Sequence, residues 1–528
     1  MGLRFASTLE PEAAAPALAH SPTDQQFDIF NWFTAGSGNL VVRARAGTGK
    51  TWTLCHAIET APETNIFVTS YGNRIVRELT ERLGDNTNVL VKSLHGVGLQ
   101  AIRRVLPRVR VDENNVRAKG LTDAVCPPNV YDSVRRPITK LHTKARESMP
   151  HATSADELVK PALLWECVPP GAQPEDIAKY AYLAMMKALD DTTLIDFADM
   201  IYLPIRKGYA RARFDLVVVD EAQDMSEPQL EIAQCLLNPG GRMALFGDDR
   251  QAIFAFRGAD SNALDRLKAE LDATELPLTT TFRCGSLIVD EARRIVPDIE
   301  ARPDAHDGAV TTMTVGGMQA NVQSGDFILS RTNAPLVKIA LGLLRNRRRT
   351  KIEGRDIGKT LVALTKRFGR YGDVQDIVTW YDNLEEWEKR QVMMAERADV
   401  PQRADMVRDQ ADCLRAIAED CTTVQQIEDR IVELFDDTLG RGDFIICSSV
   451  HRAKGLEADR VFVLRDTLYL RVSCVCGHRH RGAEPVCTRC GCRRYRPDPL
   501  AEREEENIAY VAITRAKHQL IWVAQEIR

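Results

Sequence analysis

The stretch Asn39 to Leu54, NLVVRARAGTGKTWTL, constrains the rest of the chain more than any other. An apolar run (Leu40, Val41, Val42) feeds a turn of small residues, and Lys50 and Thr51 open a segment of helical character. The reading is strand, phosphate-binding loop, helix. Gly47 and Gly49 let the backbone of Ala46, Gly47, Thr48 and Gly49 curl with N–H groups turned toward a phosphate, and the new helix adds its positive dipole end. Lys50 then reaches the β and γ phosphates, and the Thr51 hydroxyl ligates Mg2+. The general pattern G-x-x-x-x-G-K-[ST] has glycine where Ala44 stands. The rival reading is a glycine-rich turn before a lysine-bearing helix, and the motifs further along disfavour it.

At 528 residues the chain has room for about three to four domains or subdomains. No run approaches the roughly 18 apolar residues of a membrane helix, and Met1 to His20 lacks the apolar core of a signal peptide. The expected setting is the cytoplasm, of a bacterial or phage-infected cell. Of 13 cysteines, eight are scattered singly and five fall between Cys474 and Cys492, which does not suit a secreted disulfide fold. The net charge of -4 argues against a globally basic DNA coat. Charge is uneven, however: Ala101 to Pro150 holds eleven Lys/Arg against five Asp/Glu.

Residues 1–20 read as a flexible lead-in, and order is expected from Ser21, where Ser-Pro-Thr-Asp caps a helix over Gln25 to Phe33. Strands are expected at Asn65 to Ser70, Val89 to Lys92, Phe214 to Val219 and Met243 to Phe246, alternating with helices. That rhythm implies an α/β fold with a parallel, doubly wound sheet. It is interrupted over about 103–190 by a basic, mostly helical insertion. A second α/β unit is expected from about Asp290, with strands at Asp326 to Ser330, Asp443 to Ser448, Arg460 to Leu464 and Gln519 to Ala524. Phe368 to Leu439 reads as a second helical insertion.

The strand FDLVVV ends in Asp220-Glu221-Ala222-Gln223-Asp224. Two adjacent carboxylates at a buried strand end suit nucleotide hydrolysis: Asp220 holds Mg2+ through water, and Glu221 orients or deprotonates the attacking water. With these residues in view, the chain closely resembles the superfamily 1 helicases of the UvrD/Rep type. Thr23-Asp-Gln-Gln26 matches the adenine-reading motif, so the resemblance gives Gln26 to the base. The family's phosphate loop itself usually begins with alanine, as Ala44 does, while Arg45 replaces its usual glycine. Gly247 to Gly258 matches GDxxQxIYxWRG, which implies Gln251 as a γ-phosphate sensor and places Phe254, Phe256 and Arg257 toward DNA. Thr281-Phe-Arg283 corresponds to NYR, with Phe282 stacking on adenine and Arg283 on the γ-phosphate. Val450 to Glu457 resembles motif V, whose glutamate, Glu457, contacts the ribose. Asn507 to Lys517 resembles motif VI, with Arg515 as an arginine finger from the second sheet. By resemblance, Tyr71 stands for a base-stacking phenylalanine beside Asn73 and Arg74, and His95 and His451 lie toward DNA. The bland reading of Tyr71, Phe254 and Phe256 is core packing, and that of the two histidines is a satisfied structural imidazole.

The cysteine cluster reads Cys474-Val-Cys476-Gly-His478-Arg-His480, then Cys487-Thr-Arg-Cys490-Gly-Cys492. Two thiol-bearing turns with glycine beside each resemble a zinc ribbon or knuckle over about 473–493. The first choice of ligands is Cys474, Cys476, Cys487 and Cys490, and Cys492, His478 or His480 could replace one. Free thiols and an iron-sulfur cluster are the alternatives. Seven arginines surround the cluster against one acid, Glu484.

The resulting expectation is two RecA-like P-loop domains, 21–289 and 290–528, each with a helical insertion, the second also carrying the zinc-ribbon-like segment. ATP and Mg2+ are the implied cofactors, with structural Zn2+ beside them. The implied partners are single-stranded and partial duplex DNA and a replication or repair loading protein, and the implied state is a monomer or weak oligomer. Resemblance also implies 3'-to-5' movement. A DNA-stimulated ATPase that moves without unwinding, and a non-enzymatic recruitment module using the zinc segment, are the competing classes.

Overall fold

The computed structural model describes residues 21–114, 116–169, 171–190, 192–253, 263–369, 377–397, 400–435, 444–468, 471–474, 479–481, 495–496 and 499–524. The lead-in expected over 1–20 lies outside these residues.

The apolar runs assemble into two parallel six-stranded sheets. The first contains β1 (Leu40–Ala44), β2 (Ile66–Ser70), β3 (Val89–Val91), β4 (Phe214–Asp220), β5 (Leu237–Gly247) and β6 (Thr274–Leu278), in the order β3-β2-β4-β5-β1-β6. Alternate residues leave by opposite faces, as a strand's two-residue period requires. Val41, Val217, Val219 and Leu245 enter one core, and Val42, Leu216, Val218 and Phe246 enter the other. Arg43 pairs with Gly247 and Ser70 with Asp220, so the phosphate loop, the acid pair and the Gly247-Asp248 segment leave the sheet along one edge.

The second sheet uses β7 (Ala309–Thr314), β8 (Phe327–Ser330), β9 (Thr350–Ile352), β10 (Ile445–Ser449) and β11 (Ala458–Leu464). The chain then forms a small antiparallel sheet from β12 (Arg471–Cys474), β13 (Arg479–Arg481) and β14 (Tyr495–Arg496), with β12 central. It returns as β15 (Ala516–Ala524), and the second sheet runs β7-β15-β11-β8-β10-β9.

Three strands of these sheets, β6, β7 and β9, do not stand out in the sequence. All three are edge strands, two of them with at most one fully buried residue and the third only three residues long, so none carries a long apolar run. The helix Ser286–Arg293, which straddles the expected start of the second unit, buries Ile288, Val289 and Ala292 in that unit's core.

The first insertion packs the helices Val116–Val125, Asp132–Ser148, Val159–Leu164 and Pro174–Ala188 around one core. Its basic residues are divided. Arg117 and Arg146 are buried on Asp199 and Asp196, with Arg146 Nη2 2.6 Å from Asp196 Oδ2 and Arg117 Nε 3.1 Å from Asp199 Oδ2. Arg103, Arg104, Arg108, Arg136 and Lys140 are exposed. His142 is enclosed between Thr122 Oγ1 and the Ala118 carbonyl, each 3.1 Å from its Nε2. Burial first, and then the neighbouring Arg146 cation, push its imidazole down to about 3.

The second insertion is a helical hairpin, Ile377–Arg397 and Pro401–Ala418, followed by Val424–Leu434. Its tip reaches the first insertion. Val400 joins that core, Arg403 pairs with Glu166, and Gln410 Nε2 donates to Glu166 Oε1 at 3.3 Å.

Candidate active site

Between the two sheets lies a cavity of about 460 Å3 whose wall includes Gly47 to Thr51, Glu221, Gln251, Arg283, Lys454 and Arg515. The phosphate loop turns as its glycines dictate. Gly47 and Gly49 both have φ of 75°, and a Cβ on Gly47 would stand 2.5 Å from Thr281 Oγ1 and 2.6 Å from Arg283 Cβ. The helix Lys50–Glu59 starts at Gly49 without a side-chain cap, so its first N–H groups are left for a ligand.

Lys50 Nζ lies 2.5 Å from Glu221 Oε1 and 3.3 Å from Asp220 Oδ1, and Thr51 Oγ1 donates to Asp220 Oδ2 at 3.3 Å. Glu221 has φ of 53°, in the left-handed region that non-glycine residues rarely adopt, and this turns its carboxylate to the lysine directly after β4. Burial pushes the Glu221 carboxyl up, but the charges of Lys50 and then Lys454, with hydrogen bonds from Lys50 and Gln223, hold it down at about 2. Burial raises Asp220 despite Lys50, and the adjacent Glu221 charge adds to the rise. The pair is thus an ionised Glu221 beside an Asp220 that needs a cation to stay ionised.

Gln223 links this pair to the next strand. Its Nε2 donates to Glu221 Oε2 at 2.6 Å, and its Oε1 accepts from the Asp248 N–H at 3.1 Å. Gln251 Nε2 donates to Asp248 Oδ2 at 2.7 Å. From the second unit, Lys454 Nζ donates to both oxygens of Asp224 at 2.6 Å and to the Gln251 carbonyl at 2.7 Å. Arg515 Nη2 is 3.5 Å from Gln251 Oε1, while its Nε and Nη1 donate to the carbonyls of Val511 and Leu456. Burial, with repulsion from Arg283, lowers Arg515 to about 9, so it is still a cation at neutral pH. Arg283 Nε sits 2.8 Å from Glu457 Oε2, and Lys517 Nζ 2.7 Å from Glu457 Oε1.

Several expected residues lie apart from the cavity wall. The Ala46 N–H donates to the Tyr510 hydroxyl at 2.9 Å, so Ala46 faces the second unit and that N–H is taken. Gln26 is buried behind Gly49, closing the capping box with Thr23 and donating to Thr53 Oγ1 at 2.9 Å. Phe282 follows the loop, its N–H donating to the Gly47 carbonyl at 2.8 Å. Tyr71, 40% exposed, and His451 both line the nucleotide-sized cavity. Asn73 and Arg74 open the helix Asn73–Leu83, with Arg74 exposed. His95 is elsewhere: its ring stacks on exposed Phe197 at 3.8 Å, and its Nε2 is 3.1 Å from Glu147 Oε1.

Phe254, Phe256, Arg257, Cys476, His478, Cys487, Cys490 and Cys492 lie outside the described residues, as do the side chains of Cys474 and His480. Among the described residues no cluster of three or more His, Cys, Asp or Glu could hold a metal, and no helix is long and apolar enough to cross a membrane. Sequence reasoning assigned no role to Lys454 or Tyr510, nor to Arg503, whose Nη2 lies 2.8 Å from Asp249 Oδ2, or Asn507, whose Nδ2 donates to the Asp249 carbonyl at 3.0 Å. Lys454 stands inside the motif V segment, and Asn507 and Tyr510 share a helix face with one turn between them, which was the available signal.

This arrangement coincides with two family matches. The UvrD/REP helicase N-terminal domain matches residues 25–272, and the UvrD-like helicase C-terminal domain matches residues 343–526. The chain belongs to the UvrD/Rep family of superfamily 1 helicases. Among its relatives, DNA helicase II of Escherichia coli (strain K12) is 24% identical over 294 residues, 51% of this chain and 39% of that protein. The ATP-dependent DNA helicase PcrA of Staphylococcus aureus (strain Mu50 / ATCC 700699) is 24% identical over 295 residues, 50% of this chain and 39% of that protein. The matched stretch therefore spans well under half of each relative's length. Within the UvrD/Rep chain described here, both matched domains contribute side chains to one cavity.

Proposed function

We propose that this chain is an ATP-dependent DNA motor that moves along single-stranded DNA in the 3'-to-5' direction and separates duplex. The observation that carries the reading is the cleft itself. One sheet presents a phosphate loop and acids, and the other presents Arg515 and Lys454 across a space sized for a nucleotide. The acid-rich, hydroxyl-bearing end of the cavity suits Mg2+, which takes one or two protein oxygens and completes its shell with phosphate and water. Thr51 and Asp220 would hold it, and it would neutralise charge between the β and γ phosphates.

In this reading Lys50 leaves its acids for the phosphates, and Glu221, ionised and turned into the cleft, accepts the proton of the attacking water. Arg283 holds the γ-phosphate from the first sheet's side, Gln251 senses it through the attacking water that its Oε1 receives, and Arg515 adds positive charge from the second. Gln26 and Phe282 take the base, and Glu457 the ribose. Hydrolysis then changes what holds the sheets together, which is how a cleft between two domains drives movement. Tyr71, Asn73, Arg74, His95, Phe254, Phe256, Arg257 and His451 are the proposed DNA contacts, and stacking on such rings contributes about 1 to 3 kcal/mol per base. The cysteine cluster is proposed to bind structural Zn2+. A cytoplasmic setting and a loading partner complete the proposal.

The test is strand displacement on partial duplexes with a 3' or a 5' single-stranded tail, with ATP and Mg2+, alongside Lys50→Ala. Unwinding from the 3' tail alone, lost in the variant, is the expected result. DNA-stimulated hydrolysis without displacement would replace the reading with that of a translocase, and activity surviving Lys50→Ala would remove the mechanism.

A further inference from the structure

Arg45 stands where the family's phosphate loop usually has glycine, and its side chain is 8% exposed. Its guanidinium is shared among three carboxylates. Nε lies 3.0 Å from both Asp298 oxygens, and Nη2 is 2.7 Å from Asp298 Oδ2. Nη1 reaches Asp248 Oδ1 at 3.1 Å and Asp249 Oδ1 at 2.9 Å. Asp249 has other cations: Arg43 lies 3.0 Å from it and Arg503 2.8 Å. Asp248 is different. It is 1% exposed, Arg45 is its ion-pair partner among the described residues, and its second oxygen receives the Gln251 amide.

The polarity of that last bond matters. An ionised carboxylate only accepts, so the Gln251 amide must turn its NH2 toward Asp248 and leave Oε1 facing the cleft, where Arg515 lies 3.5 Å away. A buried carboxylate without its cation is costly, and relieves the cost by moving or by taking a proton. Either response removes the reason for the amide to point this way. With Oε1 outward Gln251 accepts a hydrogen from a water or a cation, whereas with its NH2 outward it repels a cation and can only donate to a water's oxygen.

We propose that Arg45 is a positioning residue for hydrolysis: by holding Asp248 as a carboxylate it fixes the Gln251 amide with its oxygen toward the cleft. The idea rests on the ATPase reading above. It also explains how a large cation is accommodated in a turn whose neighbours are small: the acids on the adjoining strand end receive it.

The test is a double-mutant cycle on DNA-stimulated ATP hydrolysis using wild type, Arg45→Met, Gln251→Ala and the double variant, with Arg45→Lys as the conservative control. Arg45→Met is expected to lower kcat about 30-fold while changing the affinity for ADP less than about threefold, because the N–H groups of Gly47 to Thr51 and the Lys50 ammonium are kept. Added to Gln251→Ala it is expected to cost less than a further threefold, since both changes remove one function. Arg45→Lys is expected to recover part of kcat. Losses that multiply in the double variant, or a wild-type kcat in Arg45→Met, would overturn the proposal. If Arg45→Met does not fold, the same cycle run with the neutral, polar Arg45→Gln decides it by the same criterion. Failure of the ATPase reading would look different, because wild type would then hydrolyse no ATP, or Lys50→Ala would hydrolyse it normally.

Discussion

The two six-stranded sheets are woven alike, all parallel, yet they bring opposite charge to the space between them. The first ends its strands in acids: Asp220 and Glu221 follow from β4, and Asp248 and Asp249 from β5. The second answers with cations, Lys454, Arg503 and Arg515 carried on connections and Lys517 at the start of β15, with Glu457 as the exception. Lys50 belongs to the acidic half and neutralises it from within. Similar scaffolds thus diverge through the residues at and beyond their strand ends, and neither half holds both Glu221 and the cleft's cross-domain arginine.

The sharpest way to break this division is to remove the cation the second half contributes. Arg515→Ala is expected to lower single-turnover ATP hydrolysis about 1,000-fold, some 4 kcal/mol in the barrier, with nucleotide affinity changed less than tenfold. Retained hydrolysis would mean that the acidic half works alone. Next in size is Lys454→Met, which leaves Asp224 buried without its partner and is expected to cost about 3 kcal/mol in urea unfolding. Adding Asp224→Asn should return most of that loss, and no recovery would show that Lys454 serves through its bond to the Gln251 carbonyl instead.

A third prediction tests a charge cluster that does not cross the cleft. His142 in the first insertion is held at about 3, below the roughly 6.5 of an unfolded histidine, so the folded state excludes a proton that the unfolded state binds. Its contribution is complete above pH 6.5 and declines as pH falls toward 3. Between pH 7 and pH 5 stability should drop by about 2 kcal/mol, and His142→Gln should flatten that slope in thermal melts. The smallest effect is expected from Tyr510→Phe, which leaves the buried Ala46 N–H without its acceptor. About 1 kcal/mol of stability should be lost, and a larger fall in nucleotide affinity than in stability would show the hydroxyl shaping the loop.

The parts legible in the sequence are those written in adjacent residues. The apolar runs of β1, β2 and β4 are covered on both faces and announce themselves, and the loop Gly47 to Thr51 carries its chemistry in its own spacing. Edge strands such as β6, with Pro277 within it, lack that pattern because burial on one side does not demand it. Partners were harder to foresee. Ala46 read as one more phosphate ligand, and only folding places Tyr510, 464 positions away, against its N–H. Arg45 looked out of place until Asp248 and Asp298 came beside it. The basic count of the first insertion likewise mixed buried Arg117 and Arg146, spent on internal aspartates, with exposed arginines free to face a phosphate backbone.

The lysine lodged between Asp220 and Glu221 has a thermodynamic consequence for the ligands. On the proposed reading a divalent ion arriving alone would have to evict a resident ammonium, and would gain only the difference between two cations. A nucleotide arriving first would draw the ammonium away and leave the acids vacant. Each ligand would then raise the affinity for the other by the same factor, and competition built into the chain would discriminate against bare metal.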